Sequence, residues 1–251
     1  MEKHLLKSVL NRMTYGDIIN FKMHDKDEYK EFISIEDTSA WGKSNYESWA
    51  SKYREIMKIN KCAIEGNIFT SLIEDYCGHA YREINKYLRN RYKTSEKKIE
   101  EVEEVEEIEK EAKKYMSKEL SFILAMVLST APRISENIVT YRLVNDYFIQ
   151  KLISENKKGI PVIERGFLST SLLTDIIGVK EAYHEYDNLL KIYVDKGTIG
   201  LYVNEIFEIP ERRRKEEEIL FYPNGYLYLM KYPYKDSVLN KKVYECYLYY
   251  Y

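Results

Sequence analysis

Residues Ile138-Val139-Thr140-Tyr141-Arg142-Leu143 form a short β-type run and mark a change in the character of the chain. Before Asn137 the apolar residues recur at helical spacing. After it they come in short, strand-like runs at 166–171, 189–194, 200–203, 219–222, 226–230 and 243–250. Lys196-Gly197 and Asn224-Gly225 are turn signals between such runs. A helical stretch at 147–155 separates the first run from the second. Helices first and strands later predict an α+β domain, not alternating βαβ units. No G-x-G-x-x-G follows a strand and no Walker lysine loop is present, so doubly wound and P-loop folds lose support.

Upstream, 41–57 places Trp41, Tyr46, Trp49, Tyr53, Ile56 and Met57 near a 3.6-residue period. The same holds for Ile73, Tyr76, Ala80, Ile84, Tyr87 and Leu88, with Tyr76-Cys77-Gly78 as a turn that divides the segment. Residues 95–115 are acidic, with nine glutamates between Glu96 and Glu111. Ile99, Val102, Val105, Ile108, Ala112 and Tyr115 leave a narrow apolar stripe on this charged helix, and Ser95 suits its N-cap. The stripe fits a solvated helix packed along one line; an interaction arm or a mimic of nucleic acid is the functional reading. A buried helix at 121–128 follows and ends before Pro132.

Composition bounds the rest. The chain has 251 residues, enough for one large domain or two small ones. Apolar residues are 45% and charged residues 32%, which excludes a wholly disordered chain. The net charge of −2 gives no global nucleic-acid footprint. No apolar run reaches the roughly 18 residues that span a bilayer. Met1 to Lys7 shows no signal peptide, so a cytoplasmic location in the producing cell, or delivery by another route, is expected. Cys62, Cys77 and Cys246 and the four histidines are scattered, so neither a metal site nor a disulfide framework is expected. Tyrosine is abundant: 25 residues, ten of them between Tyr222 and Tyr251, which suits a β-rich end.

Three separated pieces carry chemistry. Tyr141-Arg142 stands at the end of one run, Ser169-Thr170-Ser171 at the end of another, and Glu216-Glu217-Glu218 leads into Ile219-Leu220-Phe221. Strand alternation would put Glu216 and Glu218 on one side. An arginine can clamp a diphosphate through paired hydrogen bonds. A short hydroxyl side chain can hold a carboxylate. Two carboxylates can divide the work between a cationic sugar and an incoming nucleophile.

Together these pieces resemble the Arg…Ser-Thr-Ser…Glu-x-Glu signature of mono-ADP-ribosyltransferases, in the bacterial exoenzyme branch. That branch comprises the enzymatic components of binary toxins, the vegetative insecticidal protein and the Rho-modifying exoenzymes. Ala40-Trp41-Gly42 with Tyr46 and Trp49 resembles the opening of that domain. The stretch from Tyr76-Cys77-Gly78 to Ile84-Asn85 and Leu88-Arg89 is similar to its Tyr-Thr-Gly…Ile-Asn…Leu-Arg helix. Gly166-Phe167-Leu168-Ser169-Thr170-Ser171 is similar to its G-F-x-S-T-S strand, and Lys191 to Asn204 to its K-I-x-V-x-K-G-T-x-G-x-Y strand pair. The resemblance covers about 39–230. Leu143 stands where the family often has Gly, and no arginine lies between Ser171 and Leu189.

The resemblance implies a helical N-terminal lobe on two mostly antiparallel sheets with the cleft between them. It implies one domain over 1–251, with 1–38 as a helical extension and 92–118 as an acidic helical insertion. NAD would be the cosubstrate. Arg142, Asn85 and Arg89 would contact its diphosphate and adenosine portion, with Ser169 and Thr170 lining the site. Ser169 would orient Glu218, Glu218 would face the nicotinamide ribose, and Glu216 would activate the acceptor. Tyr183 or Tyr186 could stack on nicotinamide. Glu216 implies an arginine acceptor on a target protein, with Phe207 contacting that partner. Arg212, Arg213, Arg214 and Lys215 leave RNA or DNA open as the alternative acceptor. A catalytically dead adaptor of the same fold is the non-enzymatic alternative.

Overall fold

The computed structural model describes residues 25–59, 73, 76–91, 104–174, 186–207, 216–230 and 233–250. Helix α1 (Ile35–Ile59) begins before the apolar period does. Ser34 explains why: its Oγ accepts from the Asp37 N–H at 3.2 Å, and Glu36 and Asp37 occupy the first turn, where the helix dipole favours acids. A π-type turn, Tyr76–Ala80, leads into α2 (Tyr81–Asn90), matching the division expected at Gly78. The acidic and buried helices predicted separately are one element in the described chain, α3 (Glu104–Thr130), which stops just before Pro132. Ser95 and most of the first glutamates lie outside the described residues.

The strands are β1 (Ile138–Val144), β2 (Val162–Glu164), β3 (Leu168–Ser171), β4 (Asn188–Val194), β5 (Gly200–Tyr202), β6 (Glu218–Phe221), β7 (Gly225–Leu229), β8 (Tyr234–Asp236) and β9 (Lys241–Tyr249). Helix α4 (Asp146–Lys157) joins β1 to β2, its N-cap Asn145 accepting from the Phe148 N–H. The α+β class holds. The two separate sheets do not: hydrogen bonding runs through one sheet in the order β2-β7-β9-β4-β1-β3-β6-β5, with β8 on β9. The halves join at β1–β3, where a single pair, Tyr141 opposite Ser171, is in register. Among the described strand pairs only β4–β9 is parallel, with a single parallel bridge from Lys30 to Ile138 besides. Strands β2 and β8 are too short to register as periodic runs.

Alternation sends the strands' side chains to two faces. Ile138, Ile192, Val194, Tyr244 and Leu248 join the helices in the main core with Tyr46, Leu124 and Leu128. Val139, Tyr141, Tyr193, Tyr228 and Tyr247 form a second cluster on the opposite face, covered by Tyr29. There four tyrosines end on carboxylates. Tyr29 and Tyr247 donate to Asp195, Tyr141 donates to Glu31 at 2.6 Å, and Tyr193 donates to Glu245 at 3.3 Å. Lys191 and Lys26 pair with Glu31 and Glu245.

Burial raises the pKa of Tyr46, Tyr76 and Tyr250. For Tyr141 and Tyr247 burial is again the larger cause, and the hydrogen-bonded carboxylate adds to it. A tyrosine raised in the folded state contributes stability below its unfolded pKa of about 10, and that stability is lost as pH climbs above it. Alkaline unfolding is therefore expected above about pH 10, with most tyrosines ionising together as structure is lost. Tyrosinate absorbance followed beside circular dichroism checks this. Independent ionisation of these tyrosines near pH 10, with the fold intact, would contradict it.

Candidate active site

The site lies at the narrow joint of the sheet. Beyond the pair Tyr141–Ser171 the strands β1 and β3 have no further register pair, and Arg142 bridges them: its Nη1 donates to the Ser169 carbonyl at 2.8 Å. Strand β3 pairs antiparallel with β6, with Ser169 opposite Leu220 and Ser171 opposite Glu218. The diagonal neighbour of Ser169 is therefore Glu218. Ser169 Oγ donates to Glu218 Oε1 at 2.5 Å, a charge-assisted contact that fixes one carboxylate oxygen. Thr170 is buried and reaches the Ile219 carbonyl at 3.4 Å.

Glu216 and Glu218 both line the same cleft, but strand alternation is not the reason. Strand β6 starts at Glu218, Glu216 lies in a turn, and Glu217 between them has φ of 46°. Glu217 is thus in the left-handed region, between two residues that both line the cleft.

The cleft has a volume of about 660 Å³, within the range of small-molecule sites. Asn85, Arg89, Arg142, Ser169, Thr170, Glu216 and Glu218 all line it. So do Tyr76, Glu164, Arg165 and Tyr186. Tyr183 and the basic run Arg212 to Lys215 lie outside the described residues. Phe207, expected to meet a partner, is only 7% exposed. The 3₁₀ turn Val203–Ile206 folds it back into the main core, so it is not displayed outward.

Asn85 sits differently from its expected ligand contact. Its Oδ1 accepts the Phe167 N–H at 2.8 Å, and its Nδ2 donates to the Phe167 carbonyl at 3.3 Å and to the Tyr76 hydroxyl at 3.0 Å. Gly166 makes room for this: a Cβ there would stand 2.6 Å from Asn85 Oδ1. Arg89 donates to Glu164 Oε1 at 2.9 Å, and the same oxygen accepts the Gly166 N–H at 2.9 Å. Glu164 is thus a residue that sequence reading missed. It is 6% exposed and ties α2 to the loop before β3. Its only sequence signal is its place just before Arg165-Gly166-Phe167.

Cationic side chains, Arg89, Arg142, Lys151 and Arg165, and the buried carboxylates of Glu164, Glu216 and Glu218 line one cleft. This suits a ligand with an anionic diphosphate and a sugar that becomes cationic when its leaving group departs. The family profile of ADP-ribosyltransferase exoenzymes matches residues 38–233. The chain belongs to this family. No curated protein matches it by sequence. Among solved structures, BECa, an ADP-ribosylating toxin of a binary enterotoxin of Clostridium perfringens solved with NADH, is 20% identical with a TM-score of 0.59. The match covers 88% of this chain and 50% of BECa, so this chain spans half the length of that relative. C3stau2 from Staphylococcus aureus, solved with NAD, is 18% identical with a TM-score of 0.57, covering 89% of this chain and 100% of its own. Plx2a, an ADP-ribosyltransferase toxin from Paenibacillus larvae, is 18% identical with a TM-score of 0.55, covering 86% and 96%.

The protein is an NAD-dependent ADP-ribosyltransferase of the exoenzyme family, and NAD is its cosubstrate. The residues that line the cleft fit that molecule in charge and in donor chemistry. Among the described residues, no helix is long and apolar enough to cross a membrane.

Proposed function

We propose that the enzyme transfers ADP-ribose to the guanidinium group of an arginine on a protein. The observation that carries this reading is that Glu216 and Glu218, both buried, line one cleft with Ser169 and Arg142. Arg142 and Arg89 would hold the diphosphate of NAD. The bond between ribose and nicotinamide breaks with its electron pair leaving on nicotinamide. Glu218, held by Ser169, faces the positive charge that develops on the ribose. Glu216 supplies what a cationic acceptor needs. A carboxylate attracts a guanidinium and accepts two parallel hydrogen bonds from it, which an amide in the same place does not. As the new bond forms between the ribose carbon and the guanidine nitrogen, the proton lost from that nitrogen passes to Glu216.

Incubation with labelled NAD and a small guanidine compound, and separately with a cell lysate, tests the reading. Label should appear on the guanidine, and lysate label should survive nuclease and be lost to protease. Glu216→Gln should lower transfer by about 10²-fold or more while nicotinamide release into water continues. Lysate label that survives protease and is lost to nuclease would overturn the protein acceptor and make nucleic acid the target.

A further inference from the structure

Glu217 stands between the two cleft glutamates at a position that the Glu-x-Glu signature leaves open. It does not line the cleft. It has φ of 46°, a conformation uncommon for any residue with a side chain, so something must offset its cost. The offset is visible. The side chain is buried at 3% exposure, and its carboxylate accepts from three neutral donors on three pieces of chain. Thr38 Oγ1, in the first turn of α1, donates at 2.6 Å; Asn204 Nδ2, in the 3₁₀ turn, donates at 3.2 Å; and the Tyr202 hydroxyl, at the end of β5, donates to the same oxygen as Thr38. The backbone is held as well: the Glu217 carbonyl accepts the Leu172 N–H at 3.0 Å, just past the Ser169-Thr170-Ser171 strand. Thr38, Tyr202 and Asn204 stay outside the cleft, as Glu217 does. Tyr202 is itself wedged in place, because its ring lies against Gly42 of α1, where a Cβ would come within 2.0 Å of it.

A buried acid with this many donors is either satisfied by them or costly to keep. Here the donors converge on the left-handed residue that joins Glu216 to Glu218. We propose that Glu217 is the positioning residue of this turn: its carboxylate, gripped by Thr38, Tyr202 and Asn204, holds the left-handed conformation that aims both neighbours into the cleft. The proposal rests on the roles given above to Glu216 and Glu218. Glu217 touches no reacting atom and acts through its neighbours.

The test is steady-state nicotinamide release by the purified 251-residue chain, with wild type, Glu218→Gln and Glu217→Gly side by side. Glycine adopts φ of this sign freely, so Glu217→Gly removes the carboxylate without forcing the backbone. The expected result is a kcat about 10²-fold lower, as for other small misplacements of reacting groups, with KM for NAD within about threefold of wild type. Glu217→Gln keeps one acceptor oxygen and should recover part of the lost kcat. A merely structural role would instead lower the amount of folded protein and leave the kcat of what remains unchanged. An unchanged kcat in Glu217→Gly, or a KM that rises as much as kcat falls, overturns the proposal. Wild-type activity that survives Glu218→Gln would instead sink the underlying site assignment, so the two failures are distinguishable. Where Glu217→Gly does not fold, Thr38→Val and Tyr202→Phe each remove one donor. A lowered kcat at constant KM in either supports the clamp, and no change in both overturns it.

Discussion

Glu218→Gln is expected to lower the kcat of nicotinamide release by about 10²–10³-fold, the usual cost of removing one group aimed at developing charge. The substitution is nearly isosteric. Its amide oxygen can still accept from Ser169 Oγ, which lies 2.5 Å from Glu218 Oε1 in the structure. What disappears is the negative charge. That charge is 4% exposed and shielded from water, where electrostatic effects are largest. It is most valuable after the bond to nicotinamide has begun to break, so the loss should fall on kcat, with KM for NAD little changed. Ser169→Ala should show a smaller loss of the same kind, because it frees the carboxylate without discharging it. Stopped or steady-state assays of nicotinamide release decide the matter. A Glu218→Gln enzyme within threefold of wild type would show that this carboxylate does not face the reacting sugar.

Asn85→Ala is expected to be the most destabilising single change in the site. Three buried partners lose their contact at once: the Phe167 N–H, the Phe167 carbonyl and the Tyr76 hydroxyl. The Phe167 N–H is left stranded, at about 1–3 kcal/mol, while the Tyr76 hydroxyl and the Phe167 carbonyl each lose one bond but still meet each other at 3.3 Å. A total near 3 kcal/mol corresponds to a Tm lower by about 6–12 °C for a domain of this size. Activity should fall with it, because the clamped loop feeds directly into β3, which carries Ser169. Direct ligand contact by Asn85 makes the opposite forecast, a higher KM for NAD at unchanged Tm. Thermal unfolding and the kinetics of the same sample separate the two.

The sequence reading reached most of the elements because their signals are local. Ile138 to Val144 and Lys241 to Tyr249 are rich in β-branched and aromatic residues, and the Asn224 turn has the positive φ that its Asn-Gly pair announces. What it could not reach depends on distant pairing. Whether β1 and β3 belong to one sheet or two rests on a single register pair between Tyr141 and Ser171. For Phe207, expected to contact a partner, nothing in the neighbouring residues reports the 3₁₀ turn that precedes it or its burial. Glu217 is hidden for a related reason. In a run of charged residues it reads as one more solvated acid, and its donors come from positions 38, 202 and 204. Alternation does not account for Glu216 and Glu218 lining one cleft, since β6 begins only at Glu218 and Glu217 is left-handed.

The single-pair joint gives the molecule a fault line. Elsewhere the sheet is laced along its length, as in β1 against β4 from Ile138–Val194 to Val144–Asn188, and β4 against β9 from Asn188–Lys242 to Val194–Leu248. At the joint the backbone supplies one rung, and the Arg142 side chain adds a bridge to the Ser169 carbonyl. The halves are held together mainly by the core they share, with Ile138 and Ile192 from one and Leu168, Ile219 and Phe221 from the other. A core substitution far from the cleft that shifts one half against the other is therefore expected to be felt at Arg142 and Ser169.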